Sequence, residues 1–524
     1  MMRWLVLWLS ALVLAAPAQA LTPEQARALA TGDTASRIAA LNALVAVPDD
    51  KTVALIQALS DDAVKVTDSA VFIVKDDKGF DPVTGAAVPV PESAEDVINN
   101  NQMRTELGAA LALVGLQSPD TKLRLAAVKT LASDPSEDKL PLIEKAYAAE
   151  QNPAIKEALG NVRFALLLGS DDKAKRLEAA QALGDSGTPA TKLLLSERIK
   201  VESDAEVAAA LNAAVGKIDG RLVWGERLGV VFTGISLGSI LLLVALGLAI
   251  TYGLMGVINM AHGELMMIGA YATYVVQNIF RTYFPGAFDA YVIAAIPVSF
   301  LAAALVGAVL ERGVIRWLYG RPLETLLATW GISLILMQAV RNLFGAQNVP
   351  VENPAWLSGG FAAMSNLTLP YNRIAIIIFA GLVLAGVAAL IAYTRLGLFV
   401  RGVTQNRKMA ACMGVNTARI DTYAFALGSG IAGLAGCALS QVGNVGPDLG
   451  QSYIVDSFMV VVLGGVGQLA GTVYAALGLG VLNKLLEGWQ GAVLAKIMVL
   501  VFIVIFIQKR PQGIFAMKGR SAEA

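Results

Sequence analysis

From Trp224 onward the chain carries one apolar segment after another, with few charges between them. They cover residues 230–250, 255–279, 291–310, 323–343, 374–393, 422–439, 456–486 and 492–507, judged against the ~20 residues a span needs. Hydrocarbon offers a backbone no hydrogen-bonding partner, so runs of this length fold as helices. The expectation is an all-α, polytopic membrane domain of about eight segments.

Loop charges set its orientation. Arg312, Arg316 and Arg321 follow the third segment; Arg395, Arg401, Arg407, Lys408 and Arg419 follow the fifth; Lys509, Arg510, Lys518 and Arg520 follow the last. All three clusters belong on the cytoplasmic side. The chain therefore enters the membrane from outside, and residues 456–486 must cross an even number of times. About 30 residues are too few for two ordinary spans. Gly464, Gly465 and Gly467 lie among them, so a broken or re-entrant helical hairpin is expected.

Ahead of the apolar region the composition changes, and most of the charge lies before Gly225. Residues 1–20 open with Arg3, continue as a short apolar run and end Ala18-Gln19-Ala20, the pattern of a cleaved signal peptide. Residues 21–222 then read as an exported helical domain. Residues 38–44, 125–131 and 177–183 repeat one apolar pattern with alanines between. The second and third are each followed by a turn-rich stretch and another amphipathic helix, the outline of a HEAT-like repeat with irregular spacing. Between the first two copies, residues 63–77 followed by GFDPVTG (79–85) read as a small β-hairpin insertion. The membrane domain takes residues 223–519.

One stretch of that domain is out of character. Residues 250–274 carry Asn259, His262 (the chain's single histidine) and Glu264, with Gly253, Gly256 and Gly263 around them. Polar groups at membrane depth are costly unless they face protein, water or substrate, and glycines let a helix break there. The stretch is a candidate translocation path; the plainer alternative puts His262 and Glu264 at the membrane surface. Gln441 and Asn444 are weaker path candidates near the outer end of the sixth segment. In the basic loop 394–419, Ala410, Ala411 and Gly414 form a short small-residue helix with a glycine stop, suited to seating in a groove on a cytoplasmic partner.

A net charge of +0 gives no reason to expect nucleic acid as a partner. One histidine and two cysteines, Cys412 and Cys437, offer no metal cluster, and no nucleophile motif is present. A phosphate-binding G-x-x-x-x-G-K-[ST] loop is missing. No catalysis, metal or cofactor is expected on this chain, and energy for transport would come from a partner.

YGLMGVINMAHGE (252–264), TWGISLIL (329–336), RLGLFVRGVTQNRKMAACMGVN (395–416), GSGIAGLAGCALSQVG (428–443) and VVLGGVGQLAGT (461–472) resemble segments of the branched-chain amino acid permease family of ABC importers. The likeness covers essentially all of residues 225–519. RPLETLLATWGISLILMQ (321–338), GAQNVPVENPAWLSGG (345–360) and IQKRPQGIFAMKGR (507–520) resemble its urea-permease branch, whose longer form carries an exported extension. The resemblance implies an inner-membrane importer built with a second homologous permease, two cytoplasmic ATPases and a periplasmic binding protein, all set in membrane lipid. It places ATPase coupling on Arg407, Ala410, Ala411 and Gly414. Related importers carry an acidic residue before the alanines, where Met409 stands here. Urea is the substrate it implies. Import of branched-chain amino acids or short amides, a facilitative urea channel and a membrane sensor stay open as alternatives.

Overall fold

The computed structural model describes residues 21–45, 49–67, 69–75, 78–133 and 139–515. The expected signal peptide lies outside them, as do Lys518 and Arg520. The chain divides into two compact units, Met1–Arg221 and Leu222–Ala524.

The first unit holds helices α1 (Pro23–Ala30), α2 (Thr34–Val45), α3 (Asp50–Ser60), α4 (Asn101–Gly115), α5 (Thr121–Ser133), α6 (Leu140–Ala149), α7 (Pro153–Leu167), α8 (Lys173–Ser186) and α9 (Pro189–Val201). Polar caps start several of them. Asp49 accepts from Thr52 N at 2.8 Å, Asn100 from Met103 N at 2.8 Å and Asp172 from Ala174 N at 2.9 Å, each satisfying an N–H that the helix leaves free. Leu41, Leu55, Ile56, Leu59, Met103 and Leu107 are fully buried in the core they share.

Two arginine pins recur in the same form. Arg124 donates to Glu150 at 2.9 Å and to the Ser118 carbonyl at 2.9 Å. Arg176 pairs with Glu202 at 3.2 Å and donates to the Ser170 carbonyl at 2.9 Å. Both acids stand 26 residues after their arginine. Each acid also accepts the backbone N–H of the next cap, Asn152 or Asp204. A local periodicity therefore underlies α5–α7 and its successor, carried by these charged side chains together with the apolar pattern, whose buried Ala127, Val128 and Leu131 recur as Ala179, Ala180 and Leu183.

Between α3 and α4 the chain forms a five-stranded antiparallel sheet, larger than the expected hairpin. Its strands are β1 (Val64–Val66), β2 (Val71–Lys75), β3 (Lys78–Phe80), β4 (Ala87–Val88) and β5 (Glu95–Asp96), in the order β4-β3-β2-β1-β5. Val64 pairs with Ile73. The outer strands have only two or three residues, too short to show a period-two pattern.

The second unit takes the end of α10 (Ala205–Met255), then α11 (His262–Tyr283), α12 (Tyr291–Gly313), α13 (Pro322–Phe344), strands β6 (Gly360–Met364) and β7 (Leu367–Pro370), α14 (Tyr371–Tyr393), α15 (Arg395–Gln405), α16 (Arg407–Cys412), α17 (Thr417–Ser440), α18 (Leu449–Gly464), α19 (Leu469–Gln490) and α20 (Ala492–Lys509). Among the described residues seven helices are long and apolar enough to cross a membrane, namely α10, α12, α13, α14, α17, α19 and α20.

Two expected segments change. The second was read as residues 255–279, but Met255 still belongs to α10 and the new helix starts only at His262. Gly256 has φ +64°, a left-handed conformation that stops the first helix. The stretch 456–486 becomes two helices, α18 of 16 residues and α19 of 22 residues, joined at residues 465–468. Gly465 (φ +97°) and Gly467 (φ +76°) make that joint. α18 begins earlier than hydropathy suggests because its first turns carry Gln451, Ser452 and Tyr453. Its length of about 24 Å falls short of the ~30 Å hydrocarbon core, and it is not one of the seven helices of spanning length.

α17 runs through the middle of the unit with every residue from Gly428 to Ser440 buried. Small residues allow this. A methyl group on Gly428 would sit 2.7 Å from the Gly247 carbonyl oxygen of α10, so the two backbones meet without a side chain between them.

Candidate substrate path and coupling face

The break between α10 and α11 fixes the polar stretch. Gly256 N–H still donates to Tyr252 at 2.9 Å, and the chain then runs without helix to residue 261. Asn259 is 1% exposed; its Oδ1 accepts from Ala261 N at 3.0 Å, and its Nδ2 has no partner within the chain. Met260 N donates to Thr329 Oγ1 of α13 at 3.2 Å.

His262 and Glu264 both lie buried, yet they leave α11 on opposite sides, as two residues of separation on a helix require. His262 Nε2 lies 3.2 Å from the Val244 carbonyl of α10. A carbonyl only accepts, so Nε2 carries the hydrogen and Nδ1 is left as an acceptor without a partner. Glu264 turns towards α13, where Ser333 Oγ donates to its Oε1 at 2.9 Å while Oε2 is unpartnered. Tyr271 shares the Glu264 face, seven residues on. Its ring lies 4.7 Å from Phe344, and its hydroxyl also has no partner. Nearby, Arg341 of α13 pairs with Asp448 at 2.5 Å, ahead of α18.

The path candidates therefore separate. Glu264, with Ser333 and Tyr271, forms one polar face between α11 and α13. His262 is a pin between α11 and α10. Gln441 belongs elsewhere, with Oε1 held by the Tyr291 hydroxyl at 3.2 Å and Nε2 donating to Ser440 at 3.2 Å. Asn444 is exposed. Sequence reading missed Ser333, Thr329 and Tyr271, because serine, threonine and tyrosine in apolar helices look unremarkable until their neighbours are known. The one signal for Thr329 and Ser333 was the spacing of Thr325, Thr329 and Ser333 at every fourth residue of α13; Tyr271 had none.

Of the six proposed breaking glycines, Gly256, Gly465 and Gly467 do break helices. Gly253, Gly263 and Gly464 lie inside helices instead, at close approaches: a methyl on Gly253 would meet Gly467 Cα at 2.8 Å, and one on Gly464 would meet Gly471 C at 2.6 Å.

At the other candidate surface, α16 is a six-residue helix started by Asn406, whose side chain accepts from Met409 N at 3.0 Å. Gly414 ends it at φ +84°. Ala411, Met409 and Met413 are exposed, the last at 80%, while Ala410 packs inward. Arg407 is 42% exposed, yet its guanidinium reaches the buried Asp421 of α17.

Residues 230–507 match the family described as branched-chain amino acid transport system / permease component, which is more than half of the chain. The chain belongs to that family. The permease is 28% identical to the high-affinity branched-chain amino acid transport system permease protein BraD of Pseudomonas aeruginosa over 287 residues, 54% of this chain and 93% of that one. It is 28% identical to the corresponding permease LivH of Salmonella typhimurium over 300 residues, 54% and 93% of the two chains. A probable branched-chain amino acid transport permease LivH of Methanocaldococcus jannaschii is 24% identical over 296 residues, 53% and 88%. No solved structure matches the permease. Its relatives are permease subunits, and it is accordingly a multi-pass membrane transport component rather than an enzyme.

Proposed function

We propose that this permease forms the translocation path of an ATP-driven importer for urea, in the inner membrane and together with a second homologous permease. The observation that carries the reading is the Glu264–Ser333–Tyr271 face. It holds a buried carboxylate oxygen and a phenol hydroxyl without partners, beside neutral helix hydroxyls. Urea brings four N–H donors and one acceptor and no charge, so it can be passed along such groups without a counter-ion. The three segments that resemble urea permeases support the same substrate.

A second reading is import of branched-chain amino acids, favoured by what the relatives are named for. An amino acid would set its ammonium on Glu264 and need a cation for its carboxylate. Arg341 is near, but its guanidinium is engaged by Asp448.

One of two cytoplasmic ATPases would seat on the exposed Met409 and Met413 edge of α16, with Ala411 and Gly414 leaving room for the groove. A binding protein would deliver substrate from the periplasm, where the helical-repeat unit, read as HEAT-like, would also lie. The test is uptake of labelled urea by cells carrying the complete transporter, with leucine as competitor. Urea uptake unaffected by leucine supports the reading; leucine uptake in its place replaces it with the second.

A further inference from the structure

Two carboxylates are completely buried where α12 ends and α17 begins, and the path above uses neither. Asp421 receives Arg407 through two nitrogens, Nη1 at 3.1 Å and Nη2. Arg407 is the first residue of α16, and its guanidinium lies 5.1 Å from the centre of the Tyr319 ring. Glu311 accepts the Thr422 hydroxyl at 2.6 Å on one oxygen. Its other oxygen lies 3.0 Å from the Tyr319 hydroxyl and 3.8 Å from Arg316 Nε. The Tyr319 hydroxyl is also 3.0 Å from Met255 Sδ. It has one hydrogen and two acceptors, and the carboxylate is the stronger. Met255 is the last residue of α10, directly before the break at Gly256 that leads to Asn259 and Glu264.

These contacts form one unbroken series from α16 to the break. We propose that Arg407, Asp421, Tyr319 and Glu311 are the internal linkage that carries a displacement of α16 to the start of the substrate path, and that Arg407 is a positioning residue rather than an ATPase contact. The physical reason is the cost of separation. Withdrawing Arg407 would leave Asp421 as a buried charge without its partner, which is strongly unfavourable. α16 therefore moves together with the first turns of α17. Thr422 follows Asp421 directly and bonds Glu311, so the same movement is felt at Tyr319 and Met255. The inference rests on the reading that α16 meets the ATPases, and it assigns the inner half of that contact.

The test uses the assembled transporter in lipid, with both permeases, both ATPases and the binding protein. ATPase co-purification, basal ATP hydrolysis, stimulation by loaded binding protein and substrate uptake are measured together. Tyr319→Phe keeps the ring and removes only the hydroxyl. It is expected to leave the ATPases bound and basal hydrolysis intact, while stimulated hydrolysis and uptake fall about fivefold, the lower end of ordinary coupling. Arg407→Ala should keep the ATPases bound and lower uptake further, and R407D combined with D421R should recover part of what either change loses alone. Normal stimulation in Tyr319→Phe together with normal uptake in Arg407→Ala would overturn the linkage. So would loss of the ATPases from Arg407→Ala while Arg407→Lys retains them and transports normally. Met413→Glu separates the underlying reading: if it leaves the ATPases bound and uptake normal, the docking edge is wrong, whatever Tyr319→Phe does.

Discussion

Glu264 and His262 are two residues apart and have different partners, Ser333 and the Val244 carbonyl. Glu264→Gln preserves shape but replaces a carboxyl oxygen by an amide, and a buried polar group left without its partner costs about 1–3 kcal/mol. Uptake should therefore fall by about tenfold or more, chiefly through a higher apparent KM, and Ser333→Ala should give a smaller loss. An unchanged concentration dependence in Glu264→Gln would remove that carboxylate from the path. His262→Ala should behave otherwise, because its ring bonds Val244 and fills the space beside Gly247. It should lower the thermal unfolding temperature of the detergent-solubilised protein without changing which substrates compete. The polar stretch itself was legible, since ionisable groups among apolar residues stand out. The face each side chain takes was not, because α11 begins seven residues later than the apolar pattern implies.

At the scale of elements, glycines divide into those that turn the chain and those that let helices touch. Gly428→Val places a branched side chain against the Gly247 carbonyl, and overpacking of this kind costs about 1–3 kcal/mol. The variant should aggregate at a lower temperature in detergent, whereas Gly386→Val on α14, where a Cβ meets nothing within 4 Å, should not. Comparable melting of the two proteins would count against close α10–α17 contact. The reading of residues 456–486 as a broken hairpin located the turn glycines, Gly465 and Gly467, but not the helix ends. Hydropathy averages over a window and hides the polar first turn of α18. α16 was found from its Ala-Ala-x-x-Gly pattern, which says nothing of where Arg407 points.

For the molecule as a whole, the two units obey different solvents. The first has, besides its apolar core, caps and pins made by carboxylates such as Asp49, Asp172, Glu150 and Glu202. The backbone N–H of Asn152, opposed in part by burial and reinforced by Arg124, keeps the Glu150 carboxyl below its ordinary value. A lowered folded value means the contribution to stability is present above the unfolded value of about 4.3 and is lost as pH falls through the lower folded value. Hydrogen exchange of the full-length protein in lipid should show α5–α7 protected at pH 7 and progressively opened as pH drops below about 4. Glu150→Gln should be less protected at pH 7 and nearly insensitive to that change. Protection in the parent protein that does not vary with pH would discount the pin.

The sequence alone determined the helical membrane class and the position of the polar stretch. Both follow from local physics: backbone hydrogen bonds in hydrocarbon and the cost of polar groups among apolar ones. Only the tertiary structure decided that Glu264 meets Ser333, 69 residues away, and that Arg407 closes on Asp421 across an intervening turn. Those partners are chosen by how helices rotate against one another, and that rotation is set by packing between segments far apart in the chain.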